Sequence, residues 1–275
     1  MDKEIDKQSE VLCFDHAEPA GVLEDVAFYR TLIANIWMIG EPESKEWVLI
    51  DTGPIHYCNR IIEACKKRFG DIPPKAIILT HGHFDHVGSA KDLAKHWNIP
   101  IYVHPDELNY VDGTRSYPVG DSTVGGGLAA LFSPFFPTAP VDLSKWVTVL
   151  PGNGEIPLLE EWTYIHTPGH TPGHISLFRE RDKTLISGDA IITVKEESVM
   201  SLVLQSQKIH GPPAHYTHNW QRAEESVKKL AALNPEMVLP GHGLPMKGEQ
   251  LTTQLQELAA NFRKLAIPKH KRKEK

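Results

Sequence analysis

The chain is poor in cysteine, carries no excess of positive charge, and holds no apolar run near the ~20 residues needed to span a bilayer. Its three cysteines, Cys13, Cys58 and Cys65, are an odd count without C-x-x-C spacing, which fits a reducing compartment better than a disulfide framework. A formal net charge of −6 argues against a nucleic-acid-binding body, because phosphate contacts draw on a basic surface. The exception is the basic stretch "PKHKRKEK" from Pro268, which reads as a solvated, disordered tail over 268–275. The polar start "MDKEIDKQSE" lacks the apolar stretch of a signal peptide, so a cytoplasmic protein with no membrane partner is expected. Two motifs are incomplete. "VGGG" at Val124 has no Lys-Ser/Thr after it, so it is flexible backbone and not a phosphate loop. "DTG" at Asp51 has no second copy, whereas aspartic-protease chemistry needs two carboxylates sharing a proton. No repeat of solenoid length and no linker divides the 275 residues. A single domain over 1–267 is expected, with long insertions near 109–140 and 195–219.

Histidine is what the chain has in excess. Of its 15 histidines, seven fall in "HGHFDH", "HTPGHTPGH" and "PGHG", and such clustering asks for a metal. Around these motifs, strand-like runs begin at Thr31, Trp47, Lys75, Pro100, Thr184 and Glu236. The helical patterns "NRIIEACKKRF" and "SAKDLAKHW" follow the second and third runs, an alternation that predicts an α/β fold. Cys65 is expected on the first of these helices, packed beside Ile61 and Phe69. Two further apolar stripes at helical spacing read as core-facing: Trp220, Ala223, Val227, Leu230 and Ala231, then Leu251, Leu255, Leu258, Phe262 and Leu265. The insertions are candidates for covering a substrate. Phe132, Phe135, Phe136, Tyr216 and Trp220 are the aromatics expected near it, while His210, His215 and His218 read mainly as surface or core residues.

"HTPGHTPGH", from His166 to His174, has histidines four apart but cannot be helical, because Pro168 and Pro172 lack donors and restrict the residues before them. The flanks "WTYIH" and "HISLF" read as strands, which puts His166 at a strand end, His170 at a loop tip and His174 at the next strand's start. His170 is the functional candidate. His166 reads as structural, and His174 as a strand cap or a loop anchor.

"THGHFDHVG" offers His81, His83, Asp85 and His86 within six residues, directly after the apolar run "AIILT". Residues two apart on extended backbone point the same way, so His81 and His83 can grip one ion while Asp85 and His86 turn toward a second. Imidazole and carboxylate suit zinc first, with iron or manganese as alternatives. His170, Asp189 in "LISGD" and His242 in "LPGHG" each follow a strand and would arrive at the same end of a sheet. Asp51 reads as a group that fixes the tautomer of His81 or His83.

At this point the chain resembles the metallo-β-lactamase superfamily of hydrolases, in its glyoxalase II and lactonase-like branch. "VLIDTG", "THGHFDH", "TPGHTPGH", "SGDA" and "PGHG" occur in that family's order between residues 48 and 243. The resemblance implies a four-layer αβ/βα sandwich with the site at one edge of the sheets. It implies two divalent ions, one held by His81, His83 and His170 and the other by Asp85, His86 and His242, with Asp189 and a hydroxide bridging them. Asp85 would orient the hydroxide and pass a proton to the leaving group. The expected activity is hydrolysis of an ester, thioester or lactone-like small molecule, with homodimerisation left open.

Within the family, the bridging Asp189 argues against a true β-lactamase. Only 33 residues follow His242, where hydroxyacylglutathione hydrolases carry a glutathione-binding helical domain. Ile192 stands where quorum-quenching lactonases place a tyrosine, so a lactonase would need another donor, Tyr216 or Tyr164. The alternative from another reaction class is a persulfide dioxygenase with one iron on residues matching His81, His170 and Asp189; a phosphodiesterase is less favoured.

Overall fold

A computed structural model describes residues 18–124, 128–139, 141–194 and 207–273. Cys13, Gly125 to Gly127 of the "VGGG" stretch, Pro140, residues 195–206 of the second insertion and the last two residues of the tail lie outside them. Two sheets form the centre. The first runs in chain order: β1 (Ala20–Leu23), β2 (Val26–Arg30), β3 (Asn35–Ile39), β4 (Val48–Ile50), β5 (Ile77–Ile78), β6 (Ile101–Val103) and β7 (Val147–Val149). The second contains β8 (Trp162–His166), β9 (Ile175–Arg179), β10 (Thr184–Gly188), β11 (Met237–Pro240) and β12 (Met246–Lys247), likewise side by side in chain order.

Strands such as "VAFYR", "NIWMI", "VLI" and "ISLFR" are buried along their whole length, as expected where both faces of a sheet are covered. Three apolar cores account for this. One lies between the sheets, where Phe28, Trp37, Ile50 and Ile78 meet Trp162, Ile175, Leu177 and Leu239. Outside the first sheet, α1 (Cys58–Phe69) and α3 (Ala90–Trp97) press Ile61, Cys65, Phe69 and Leu93 onto Leu49, Ile77 and Ile101. Outside the second, the helices Trp220–Ala232 and Glu249–Ala260 press Val227, Leu230, Leu251 and Leu255 onto Leu185 and Val238. The layers are therefore helix, sheet, sheet, helix. Each fully buried Leu, Ile or Phe contributes about 1.5–3 kcal/mol, so the three cores dominate stability. Cys65 sits where its helix pattern placed it, and burial pushes its thiol pKa up.

Topology decides where functional side chains emerge. β4 and β5 are parallel with Ile50 opposite Ile78, so Asp51 and the Thr80–His81 segment leave the sheet side by side. β10 and β11 are parallel with Gly188 opposite Pro240, so Asp189 and His242 leave together. The 167–174 loop opens at the same end because β9 runs antiparallel to β10. Two backbone bonds join the sheets at this edge, Ile175 N–H to Thr80 O at 3.0 Å and Asn35 N–H to Gly241 O at 2.7 Å.

Several expected boundaries move for identifiable reasons. The run from Thr31 becomes strand only at Asn35, because Thr31 closes a turn on Ala34 through its backbone and hydroxyl. β1, β2, β7 and β12 were not anticipated; β1, β7 and β12 are short strands at sheet edges, whereas β2 is a five-residue strand paired on both sides. The last apolar stripe is broken at Asn261, and Leu265 is exposed. The tail expected to be disordered is folded back over its described part, 268–273. Lys271 pairs with Asp121, His270 lies 3.2 Å from the Thr123 hydroxyl, and Arg272 donates to the carbonyls of Ile267 and Lys264. Among the described residues no helix is long and apolar enough to cross a membrane.

Arg179, at the end of β9, is fully enclosed, lies over the Trp162 ring and pairs with Asp25 in the β1–β2 turn and with Asp182. It thereby ties the two sheets. Arg179→Ala is expected to lower unfolding free energy by about 2–4 kcal/mol. That is less than a fully buried pair loses, because both carboxylates retain contact with water. Urea denaturation reads this as a lower midpoint at constant slope; an unchanged midpoint would refute the role.

Candidate metal centre

The strand-to-loop junctions bring seven groups to one edge. β5 ends as Asp51 takes over bonds that a longer strand would have made: its Oδ1 accepts from Thr80 N–H at 2.8 Å and its Oδ2 from the Thr80 hydroxyl at 2.7 Å. After His81 and His83 the backbone turns into α2 (Phe84–Val87), whose first turn presents Asp85 and His86. His81, His86 and His170 are at most 2% exposed, as are Asp189 and His242.

The side chains converge in overlapping groups whose candidate ligand atoms lie within 4.8 Å of one another: His81, His83 and His170; His81, His86 and Asp189; Asp85, His86 and His242. Asp189 sits between them. Its Oδ2 is 3.3 Å from both His170 Nε2 and His242 Nε2 and 3.8 Å from His81 Nε2, while its Oδ1 is 3.4 Å from His86 Nε2. His86 Nε2 and His242 Nε2 are 3.2 Å apart, and His83 Nδ1 and His170 Nε2 are 2.9 Å apart.

Hydrogen bonds on the far side of each ring fix which nitrogen faces the cluster. His86 Nδ1–H donates to Asp51 Oδ2 at 2.8 Å, and His242 Nδ1–H donates to Ile33 O at 2.6 Å. His81 Nδ1 is 3.0 Å from the Thr80 hydroxyl, which already donates to Asp51, so the histidine is the donor. The same logic applies to His170 Nδ1, 3.4 Å from a Thr217 hydroxyl that donates to Pro213 O. Four Nε2 atoms are thereby aimed inward, the arrangement that outer hydrogen bonds impose on metal-ligating histidines. His81 Nε2, His83 Nε2 and Asp189 Oδ1 are buried without a hydrogen-bond partner. Leaving such groups unpaired costs about 1–3 kcal/mol each, and a divalent cation would satisfy His81 Nε2 and Asp189 Oδ1, while His83 presents its Nδ1 to the cluster, 2.9 Å from His170 Nε2. The residues therefore fit a metal.

Electrostatics agree. Burial, then neighbouring imidazoles, hold His81 and His83 well below the usual histidine range, so both are neutral. Burial also disfavours charge on His86, but Asp189, Asp51 and Asp85 together outweigh it and raise its pKa to about 9. Acid thus competes with a cation for this group of ligands.

All seven expected ligands meet here. Asp51 serves His86 directly and His81 through Thr80, and makes no bond to His83. His174 is lowered to about 3 by burial and then by His170; its Nε2 accepts the Asp189 N–H at 2.9 Å, so it positions Asp189. Among the expected aromatics, Tyr216 lies 4.9 Å from the His83 ring and Phe136 5.6 Å from Phe84, but Phe132 and Phe135 are exposed and Trp220 packs toward Phe262. Tyr164 donates its hydroxyl to Pro151 O, away from the site. His218 is lowered to about 4 by burial and then by nearby His170, while His210 pairs its backbone with Ile192. His215 is buried against Tyr216. Tyr117 and Glu107 were missed: the Tyr117 ring is 4.5 Å from His83, and neither residue belongs to a recognisable motif.

A second group, His104, Asp106 and His166, also brings candidate ligand atoms together. Its two imidazoles are stacked at 4.0 Å and 17°, so one ion cannot lie in the plane of both rings. This group does not make a metal centre.

Comparison with known proteins agrees with the geometry. The model of the Metallo-beta-lactamase superfamily matches residues 29–242. The probable metallo-hydrolase YflN of Bacillus subtilis (strain 168) is 47% identical over 229 residues, covering 82% of this chain and 87% of that protein. The hydroxyacylglutathione hydrolase GloC of Haemophilus influenzae is 28% identical over 151 residues, covering 54% of this chain and 63% of that protein. The crystal structure of TTHA1623 in a di-iron-bound form superposes with a TM-score of 0.52 at 26% identity, covering 80% of this chain and 93% of that one.

Proposed function

The chain belongs to the metallo-beta-lactamase superfamily and is a metallo-hydrolase of that family, and from that premise we propose that it is a dinuclear hydrolase of small-molecule esters, thioesters or lactones. The observation that carries this reading is the convergence of seven buried ligands into groups linked by Asp189. The similarity to a di-iron-bound protein supports two ions, and the similarity to a hydroxyacylglutathione hydrolase supports a thioester among the substrates.

His81, His83 and His170 would hold one ion, Asp85, His86 and His242 the other, and Asp189 both. Zinc is the first candidate, with iron or manganese as alternatives. Such ions, when bound, make water a nucleophile near neutral pH and polarise the scissile carbonyl. Asp85 is the more accessible carboxylate, its side chain 12% exposed against 3% for Asp189. It is therefore the group placed to orient the attacking water, take its proton and deliver it to the leaving oxygen or sulfur. Asp51, His174 and Thr217 hold the ligands in place.

Metal analysis paired with a substrate panel tests the reading. Two ions per chain are expected, with hydrolysis abolished by a chelator and restored by a divalent metal. One iron per chain, with oxygen consumed on a persulfide and no ester hydrolysis, would instead establish the dioxygenase.

A further inference from the structure

Glu107 closes the short turn Pro105–Glu107 after β6, yet its side chain is enclosed, at 1% exposure. Burial pushes its pKa up to about 7, and a carboxyl group so enclosed is tolerated only where polar partners surround it. Four do. Oε1 accepts from the Gly82 N–H at 3.0 Å and from the Tyr117 hydroxyl; Oε2 accepts from the Thr171 hydroxyl at 3.0 Å and from the Gly173 N–H at 2.8 Å. Gly82 stands between His81 and His83, and Thr171 and Gly173 lie between His170 and His174. One carboxylate therefore ties together two loops that leave different sheets.

The two glycines record how closely the chains approach. A Cβ at position 173 would lie 2.4 Å from the Glu107 nitrogen, and one at position 82 would lie 2.8 Å from Val111 Cγ1 and 2.9 Å from the Tyr117 hydroxyl. The doubled Thr-Pro-Gly is explained in the same way. Its first copy is held by the helix Trp220–Ala232 and its cap, through Ser226 Oγ–H to Pro168 O at 2.7 Å and Asn219 N–H to Gly169 O at 3.0 Å. Its second copy is held by Glu107.

The geometry points to Glu107 as a positioning residue that sets the register between the loop carrying His81 and His83 and the loop carrying His170, so that three imidazoles from two sheets converge. Its consequence for an ion rests on the proposed metal centre; the register itself does not.

Glu107→Gln keeps the side chain's size but replaces one acceptor oxygen with an amide that cannot accept from two donors. In metal-free crystals the His83 Nδ1 to His170 Nε2 separation, now 2.9 Å, is expected to widen beyond the ~0.5 Å tolerance of a working site. In chelator competition, the ion on His81, His83 and His170 is expected to weaken about 10- to 100-fold, the usual effect of losing an outer partner, while the ion on Asp85, His86 and His242 holds. Should Glu107→Gln fail to fold, Thr171→Val removes one donor with a smaller effect in the same direction, and Thr171→Ser restores it. An unchanged separation in the variant overturns the proposal, as does equal weakening of both ions. A wild-type protein that takes up no ion overturns the metal reading, and the crystallographic register then decides the role of Glu107.

Discussion

Asp189→Ala is expected to lose bound metal and hydrolysis together, with kcat/KM falling at least about 1000-fold. That is about 4 kcal/mol of transition-state stabilisation at roughly 1.4 kcal/mol per decade. The argument is positional. The carboxylate is 3% exposed and within 3.3–3.8 Å of His81, His86, His170 and His242, so it touches both groups of ligands. No other carboxylate reaches His81 or His170 among the described ion pairs. Without it, five histidines would have to hold two cations with Asp85 as the remaining carboxylate ligand, and the Coulombic part of the affinity would be lost. The fold should persist, because the backbone N–H of residue 189 still donates to His174 and β10 keeps its pairing with β9 and β11. A melting curve of the metal-free variant checks that separately from metal content. If Asp189→Ala retained both ions and full turnover, the assignment of the bridge would be wrong.

His170→Ala and His166→Ala should part company although the residues share a motif. His170 is buried, with Nδ1 directed to Thr217 and Nε2 toward Asp189. Loss of the ion shared with His81 and His83 is expected, with activity falling by two or more decades, as when a preorganised group at the reacting centre is removed. His166 is partly exposed, lies face to face with His104 and donates Nε2–H to Pro172 O at 2.8 Å. Its removal costs about one hydrogen bond, roughly 1 kcal/mol, and should leave metal content intact. Equilibrium metal titration of both variants gives the answer. Metal loss in His166→Ala would show that the loop depends on its base and not on its tip.

Much of the site was legible because each ligand sits in a short motif whose turn chemistry is local. "HGHFDH" declares its ligands by spacing, and the prolines of "HTPGHTPGH" exclude a helix and put His170 at a tip. Parallel strand pairing then carries Asp51 with His81, and Asp189 with His242, to one edge. What stayed hidden depends on groups distant in sequence. Glu107 is an ordinary residue of the turn after β6 and Tyr117 of the first insertion, and nothing near them announces bonds to Gly82, Thr171 and Gly173. The basic tail was read from charge alone as a frayed end, and its ion pair with Asp121 spans most of the chain. Phe132 and Phe135 look like pocket residues by type, yet they are exposed, because hydrophobicity does not say which side of an insertion faces inward.

The sequence by itself determined the candidate ligand set and the alternation of strand and helix, since donor type, proline position and apolar periodicity act over a few residues. Only the tertiary structure decided which second partner each ligand has: Asp51 for His86, Ile33 for His242, His174 for the backbone of Asp189, and Glu107 for the two loops. The physical reason is burial. A ligand's inward nitrogen can be inferred from its motif, but the bond that fixes its outward nitrogen is made by whatever polar group the packed sheets bring within about 3 Å, and no local pattern encodes that meeting.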